Sequence, residues 1–220
     1  MWNDTELQQD IENEVGWEIG AHLMEINITV KDGAVQLGGH VDSFWEKCAA
    51  ERAAWRVAHV HQVSNGIRVV VPFEKQRDDD DIALAAMTSL EWNCLVPKTV
   101  EVQVAEAWVI LSGRVARQQQ KEEAERALCT LPGIAGIRNN IVLQPSVGLA
   151  EAKEPIEAAL RRNALVDHGR IKAHVAHGVA SLRGSARSRA EYEQAMHAAW
   201  AAPGITKVED HIAIESTRHA

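Results

Sequence analysis

Apolar side chains recur four residues apart near the N-terminus and then alternate with polar ones, and this order of patterns occurs three times along the chain. A spacing of four predicts an amphipathic helix at the start of each copy. The apolar positions of these predicted helices are Leu7, Ile11 and Val15, then Ile82, Ala86 and Leu90, and finally Ile156 and Leu160. Strict alternation in residues 26–30 and 35–41, on either side of Gly33, predicts a β-hairpin after the first helix.

The hairpin regions of the three copies align without gaps. Val35–Val41 lies on Val109–Val115 and on Ala180–Ala186. This alignment superimposes three glycines, which we expect to allow a strand to end or a neighbouring chain segment to approach closely: Gly39, Gly113 and Gly184. His177-Gly178 forms the predicted turn of the third copy, whereas Glu106-Ala107 in the second predicts another turn geometry.

A second helix and a final strand complete each copy. Ser43 with Glu46, and Ser188 with Glu191, are capping boxes that predict where this helix begins in the first and third copies. Arg117 takes the place of the serine in the second copy, so that helix must begin differently. The final strand contains an isoleucine that coincides in all copies, at Ile67, Ile141 and Ile212.

These elements predict an α+β fold of three tandem αββαβ units, each a three-stranded mixed sheet covered by two helices. The last two strands of each unit flank a helix and are therefore expected to be parallel. The predicted units span residues 1–73, 78–146 and 152–220. The linkers fall where composition shifts, in Pro72–Asp81 and Gln144–Pro155.

Composition limits the possible classes of protein. With 220 residues, 46% of them hydrophobic, the chain can bury real cores. A net charge of -8 argues against general nucleic-acid binding, which needs clustered Lys and Arg. Neither a signal peptide nor an apolar run long enough for a transmembrane segment is recognisable, so we expect a soluble, cytoplasmic protein, or a periplasmic one if a signal was removed.

Cysteines and tryptophans are expected to be structural. The three cysteines, Cys48, Cys94 and Cys129, lack disulfide spacing and fit a reducing compartment, in which they would be small buried side chains. Trp55, Cys129 and Trp200 share one repeat position and are expected in the core or between repeats, with contact to lipid as the alternative.

The repeated pattern resembles the BON domain of bacterial osmotically inducible and nodulation-related proteins. The resemblance is carried by Ile28–Val41, with its alternating strands and glycines, and by Pro132-Gly133-Ile134 through Ile141. It covers nearly the whole chain in three tandem copies. It implies a three-stranded sheet with two helices per unit and a non-enzymatic role in osmotic or envelope stress, through binding of phospholipid, membrane surfaces or protein partners. Some members are associated with potassium.

The residues themselves reveal no catalytic or cofactor-binding motif, and we expect neither an enzyme nor a cofactor. His59 and His61 form a His-x-His pair that could bind Zn²⁺, but no further ligand is placed to complete a site, so we interpret them as surface histidines. The run of aspartates at residues 78–81 could suggest Ca²⁺. It lacks the spacing of a calcium loop, and we interpret it as a solvated linker before a helix.

Charge is distributed unevenly among the copies. Residues 4–71 contain eleven acidic and five basic side chains, whereas residues 155–220 contain seven acidic and nine basic ones. Arg183, Arg187 and Arg189 cluster around the N-cap of the third copy, where amide groups at a helix start would assist anion binding. We predict that these arginines bind a lipid headgroup or an acidic partner.

Together these observations predict a non-catalytic, stress-related binding or adaptor protein that acts at a phospholipid membrane surface or on protein partners. The alternative is a cytoplasmic cation or small-ligand sensor. The oligomeric state is not predicted.

Overall fold

The computed structural model describes residues 3–20, 25–144, 170–202 and 204–214. Contacts divide the chain into two compact units, one of Met1–Ser112 with Ala124–Asn140 and the other of Gly113–Glu123 with Ile141–Ala220. The first unit contains the first repeat and most of the second, and the second unit contains the third. Ile156 and Leu160, predicted for the opening helix of the third repeat, lie outside the described residues.

The first repeat has the predicted order of elements. Its elements are α1 (Asp4–Ile19), β1 (Ile26–Lys31), β2 (Ala34–Val41), α2 (Phe44–Arg56), β3 (Gln62–Asn65) and β4 (Arg68–Val69). Strand β1 is antiparallel to β2, and both β3 and β4 are parallel to β2. The final strand of the repeat is thus interrupted, and the sheet is mixed as predicted.

The second repeat has the same arrangement. Its elements are α3 (Asp79–Trp92), β5 (Val100–Ala105), β6 (Trp108–Val115), α4 (Gln118–Leu128), β7 (Gly136–Asn139) and β8 (Val142–Leu143). Strand β6 lies between β5 and β7 in the sheet and is parallel to β7 and β8. The final strand is again divided into two short pieces.

The described part of the third repeat consists of a hairpin, a helix and a strand. Its elements are β9 (Ile171–Ala176), β10 (Val179–Ala186), α5 (Arg189–Ala201) and β11 (Lys207–Ile214). Strand β10 is antiparallel to β9 and parallel to β11. Unlike its counterparts, β11 is uninterrupted and pairs with β10 over its whole length.

The helices bury the faces that the spacing of four predicts. In α1 the buried residues are Leu7, Ile11, Val15 and Ile19, and in α3 they are Ile82, Ala86 and Leu90. In the first repeat they pack against the inward side chains of the sheet, among them Ile28 and Leu37. Trp55 and Trp200 pack, partly buried, against the cores of their own repeats, which confirms the prediction made for that position.

Capping explains where the second helix of each repeat begins. Ser43 and Glu46 form both hydrogen bonds of the predicted capping box. Ser188 Oγ likewise accepts from the Glu191 amide at 3.2 Å. In the second repeat, where Arg117 replaces the serine, the Gln120 side chain accepts from the amides of Ala116 and Arg117 at 3.0 and 3.1 Å. That helix therefore begins differently, as expected.

The expectation of a different hairpin turn in the second repeat is wrong. Glu106 and Ala107 have φ values of 52° and 61°, close to the 50° and 79° of Asp32 and Gly33. A non-glycine residue is disfavoured in this left-handed region. The Asp79 carboxylate accepts from the amides of Glu106 and Ala107, at 2.9 Å each, and so stabilises the turn.

The glycines that the repeats share allow close approach of backbone, as predicted. Gly39 and Gly184 have φ values of 95° and 135°. A Cβ atom would overlap the carbonyl oxygen of Glu25 at the first position and that of Arg170 at the second. These glycines are therefore required by the fold rather than by a ligand.

Candidate functional site

The three arginines predicted to bind an anion lie in two places in the third repeat. Arg183 is exposed in the middle of β10, whereas Arg187 and Arg189 flank Ser188, the N-cap of α5. The Arg189 guanidinium pairs with Glu193 at 2.9 Å and lies over the Tyr192 ring, 4.7 Å from its centroid. Arg189 is thus held against its own helix.

The amide groups at the start of α5 already have partners. The Arg187 amide donates to the Glu191 carboxylate at 2.7 Å, and the Glu191 amide donates to Ser188 Oγ. Glu191 is itself buried, with 4% of its surface exposed. Because these two amides are satisfied within the helix, the help that we expected them to give to anion binding is reduced.

Arg183 belongs instead to a basic row on the sheet. Side chains alternate between faces along a strand, and Ala180, Leu182 and Ala186 of β10 are buried beneath the helix. Arg183 therefore faces away from it, and pairs in register with Lys172 of β9 and His211 of β11. Glu209, two residues before His211 on the same face of β11, lies close enough for His211 and Arg183 to help Lys207 lower the pKa of its carboxyl, so part of the positive charge of this row is already balanced.

The remaining charges near this row are paired. Lys207 and Glu209 form an exposed ion pair at 2.8 Å, and this hydrogen bond lowers the pKa of Glu209. On the helix side of β11, the Tyr192 hydroxyl donates to Asp210 at 2.7 Å. Burial, with this hydrogen bond, raises the pKa of Tyr192 to about 12. The tyrosine is therefore a structural contact between helix and strand.

A second candidate surface, which the sequence analysis did not identify, is the outward face of α3. Its apolar side chains are exposed: Leu84 is 63% exposed, Met87 46% and Trp92 86%, and Leu95 just beyond the helix is 46% exposed. We call these four residues the α3 apolar face. The outward side of α3 thus carries several apolar side chains, with Thr88 and Glu91 exposed among them, whereas its other side forms the core. Leu84 and Met87, three residues apart within a run already assigned to a helix, were the signal for it.

The equivalent face of α1 differs. Trp17, at the position of Trp92, is 89% exposed, but Gln9 and Glu12 stand where α3 has Leu84 and Met87. Trp17 lines a cavity of about 480 Å³ together with Glu14 and Arg56. Arg56 pairs with Glu14 at 2.8 Å and Glu18 at 2.7 Å, and these hydrogen bonds raise its pKa. The outward side of α1 thus carries one exposed tryptophan among polar and charged residues, where α3 carries several exposed apolar side chains.

The candidate metal ligands have backbone partners. Asp79, in the aspartate run, binds the turn of the second repeat, so it is not the solvated linker residue that we expected. His61 Nε2 lies 2.6 Å from the Asp32 carbonyl oxygen. Among the described residues, no group of three or more His, Cys, Asp or Glu side chains is arranged to hold a metal ion.

The cysteines are less buried than the sequence predicts. Cys94 is exposed, and Cys48 and Cys129 are only partly buried. The Sγ atoms of Cys48 and Cys129 lie 3.9 Å apart. Position 129 thus lies between the first and second repeats, which is one of the two locations predicted for it.

Comparison with known proteins identifies the family. The BON domain model matches residues 3–71, 78–145 and 149–216. The chain belongs to the BON domain family. The prediction of three tandem copies is confirmed, and membership supports a binding or adaptor role rather than catalysis.

Solved structures with similarity to the chain include proteins of type III secretion systems. The C-terminal domain of CdsD, a structural protein of the system of Chlamydia trachomatis, is 15% identical; the match covers 97% of this BON protein and 100% of that chain, with a TM-score of 0.27. The periplasmic domain of the inner membrane protein PrgH from S. typhimurium is 16% identical over 88% of this chain and 95% of that one, with a TM-score of 0.23. Scores this low carry no argument about function. Among curated proteins none matches.

In the part of this BON protein that the structure describes, the helices are too short or too polar to cross a bilayer. The cytoplasmic location, the arginine site and the cation-sensor alternative stay predictions.

Proposed function

We propose that this BON protein is a non-catalytic binding protein that associates with phospholipid membrane surfaces through the α3 apolar face. The observation that carries the proposal is the exposure of Leu84, Met87 and Trp92 on one side of a helix whose other side forms the core. Complete burial of such side chains stabilises by about 1.5–3 kcal/mol each. Tryptophan in particular is favoured at the boundary between hydrocarbon and water.

Charge supports a two-part interaction. No Lys or Arg occurs within α3, so attachment through this helix does not require anionic lipid. The row formed by Lys172, Arg183 and His211 would add attraction to anionic headgroups. Arg187 and Arg189 lie on the helix side of the sheet, away from this row, and Arg189 is paired with Glu193, so we expect Arg183 to contribute more than either of them. A role at membranes under osmotic or envelope stress follows from the family resemblance.

Co-sedimentation with vesicles tests the apolar part. With phosphatidylcholine vesicles, L84Q/M87Q/W92S should lower the partition coefficient about a hundredfold, which corresponds to roughly 3 kcal/mol. The matched control is W17S, which removes an equally exposed tryptophan from a polar helix and should change binding little. The reciprocal variant Q9L/E12M should create a second apolar face on α1 and strengthen binding.

The anionic part is tested by adding phosphatidylglycerol to the vesicles. The wild-type protein should bind these more tightly, and R183Q/R187Q/R189Q should remove only that increment. Equal binding of the wild-type protein and the α3 triple variant to both vesicle types would refute the proposed surface. A protein that sediments with neither vesicle type would refute lipid binding altogether and favour a protein partner.

A further inference from the structure

Two cysteines from different repeats lie side by side. Cys48 is in α2 of the first repeat, and Cys129 directly follows α4 of the second. Their sulfur atoms are 3.9 Å apart, and both residues belong to the same compact unit. Side-chain rotation over roughly 2 Å would bring the sulfurs to the length of a disulfide bond.

The surroundings of the two cysteines favour a thiolate at Cys129 and a protonated thiol at Cys48. The pKa of Cys129 is lowered, chiefly because the Cys48 thiol donates a hydrogen bond to it; Arg52 and Arg126 act in the same direction, whereas burial and Glu125 oppose the shift. When protonated, the Cys129 thiol donates to the Glu125 carbonyl oxygen at 3.5 Å. The pKa of Cys48 is raised, because it holds the proton in that hydrogen bond and is partly buried. Such a pair resembles the arrangement that makes one thiol of a dithiol reactive. Partial exposure leaves both within reach of a small oxidant.

The fold of the repeat does not require these cysteines. At the position of Cys48 the other repeats have Glu122 and Glu193, and at the position of Cys129 they have Trp55 and Trp200. At the position of each cysteine, the other two repeats therefore carry a very different side chain and still form the same fold. What the two share is their contact with each other.

We propose that Cys48 and Cys129 form a disulfide bond that links the first repeat to the second when a small-molecule disulfide is present. The Cys129 thiolate attacks one sulfur of that disulfide, forming a mixed disulfide and releasing one thiolate. Deprotonated Cys48 then attacks the Cys129 sulfur and releases the second thiolate. The two cysteines are oxidised, the added disulfide is reduced to two thiols, and the two cysteine protons go to those leaving groups.

The full chain, purified under reduction and then treated with glutathione disulfide, tests this proposal. Intact mass should fall by two hydrogen atoms, and Cys48 and Cys129 should lose reactivity towards an alkylating agent while Cys94 keeps it. Digestion with trypsin without reduction should release one linked peptide, made of residues 48–52 and 127–138. Reduction should separate its two parts.

The exposed Cys94 provides the matched control. The C94S variant should give the same linked peptide as the wild-type protein, whereas C48S should stop at a glutathione adduct on Cys129. Far-UV circular dichroism of each variant verifies that the fold is retained. The proposal is overturned if wild-type protein keeps both thiols, if its Cys129 stops at the glutathione adduct, or if the linked peptide contains Cys94.

Discussion

Helices α1 and α3 open the first and second repeats and share a buried face but not an exposed one. Each buries residues four apart against its sheet, and each ends near an exposed tryptophan. On the outside, α1 presents Gln9 and Glu12, and α3 presents Leu84 and Met87. The comparison teaches that the repeat keeps the inward positions apolar, whereas the outward positions vary between polar and apolar residues.

The largest effect is expected where the buried faces themselves differ. Ile11 and Ala86 occupy equivalent positions and are both completely buried. Substitution I11A should lower the free energy of unfolding by about 3 kcal/mol, because it removes packed methyl groups and leaves a cavity. Urea denaturation measures this loss. A loss below about 1 kcal/mol would mean that the first repeat can adopt the tighter packing of the second.

A smaller effect is expected at the hairpin turns, where Asp79 in α3 makes two amide hydrogen bonds and Asp4 in α1 makes one, at 3.2 Å. Substitution D79A should cost about 1.5 kcal/mol, and D4A about 0.5 kcal/mol. The reason for the difference is that Ala107 depends on those bonds to keep a positive φ, which Gly33 adopts without strain.

The glycine substitution A107G makes this explanation testable. In the D79A background it should recover about 1 kcal/mol, because a glycine removes the strain at that position. Thermal unfolding of the single and double variants measures the coupling between the two residues. If A107G destabilises D79A further, the Asp79 carboxylate does not act by offsetting backbone strain at residue 107.

The smallest effect is expected for the ion pairs of Arg56 with Glu14 and Glu18. Helix α3 has no carboxylates at these positions, where Ser89 and Asn93 stand instead. Substitution R56M should cost at most about 1 kcal/mol, since all three side chains are partly exposed. The loss should shrink in concentrated salt, which screens the pairs. A loss that is independent of salt would point to packing of the arginine stem instead.

Local signals in the sequence account for much of the fold. The apolar spacing of α1, the alternation of β1 and β2 and the pair Ser43 and Glu46 all act within a few residues of each other, and all three predictions are confirmed. The turn at Ala107 was mispredicted because its stabilising partner, Asp79, is distant in sequence.

The surfaces were harder to predict for two physical reasons. Leu84 and Met87 resemble core residues by composition, and only the structure separates the inward from the outward side of an apolar helix. The contact of Cys48 with Cys129 joins two repeats, and a repeating pattern contains no information about how its copies meet. Arg183, by contrast, was identified from charge alone, although Lys172 and His211 beside it were not.

The interruption of the last strand in the first repeat has a consequence for the local stability of its end. Strand β4 pairs with β2 through two residues only, beyond the break at Gly66 and Ile67, whereas β11 of the third repeat pairs through eight. Amide hydrogens in so short a pairing of β4 with β2 are expected to exchange with solvent through local opening, while the core beneath β3 stays folded. We therefore expect the amide hydrogens of β4 to exchange before those of β3, whereas the contact of Val69 with the core limits how far the end of this strand can open.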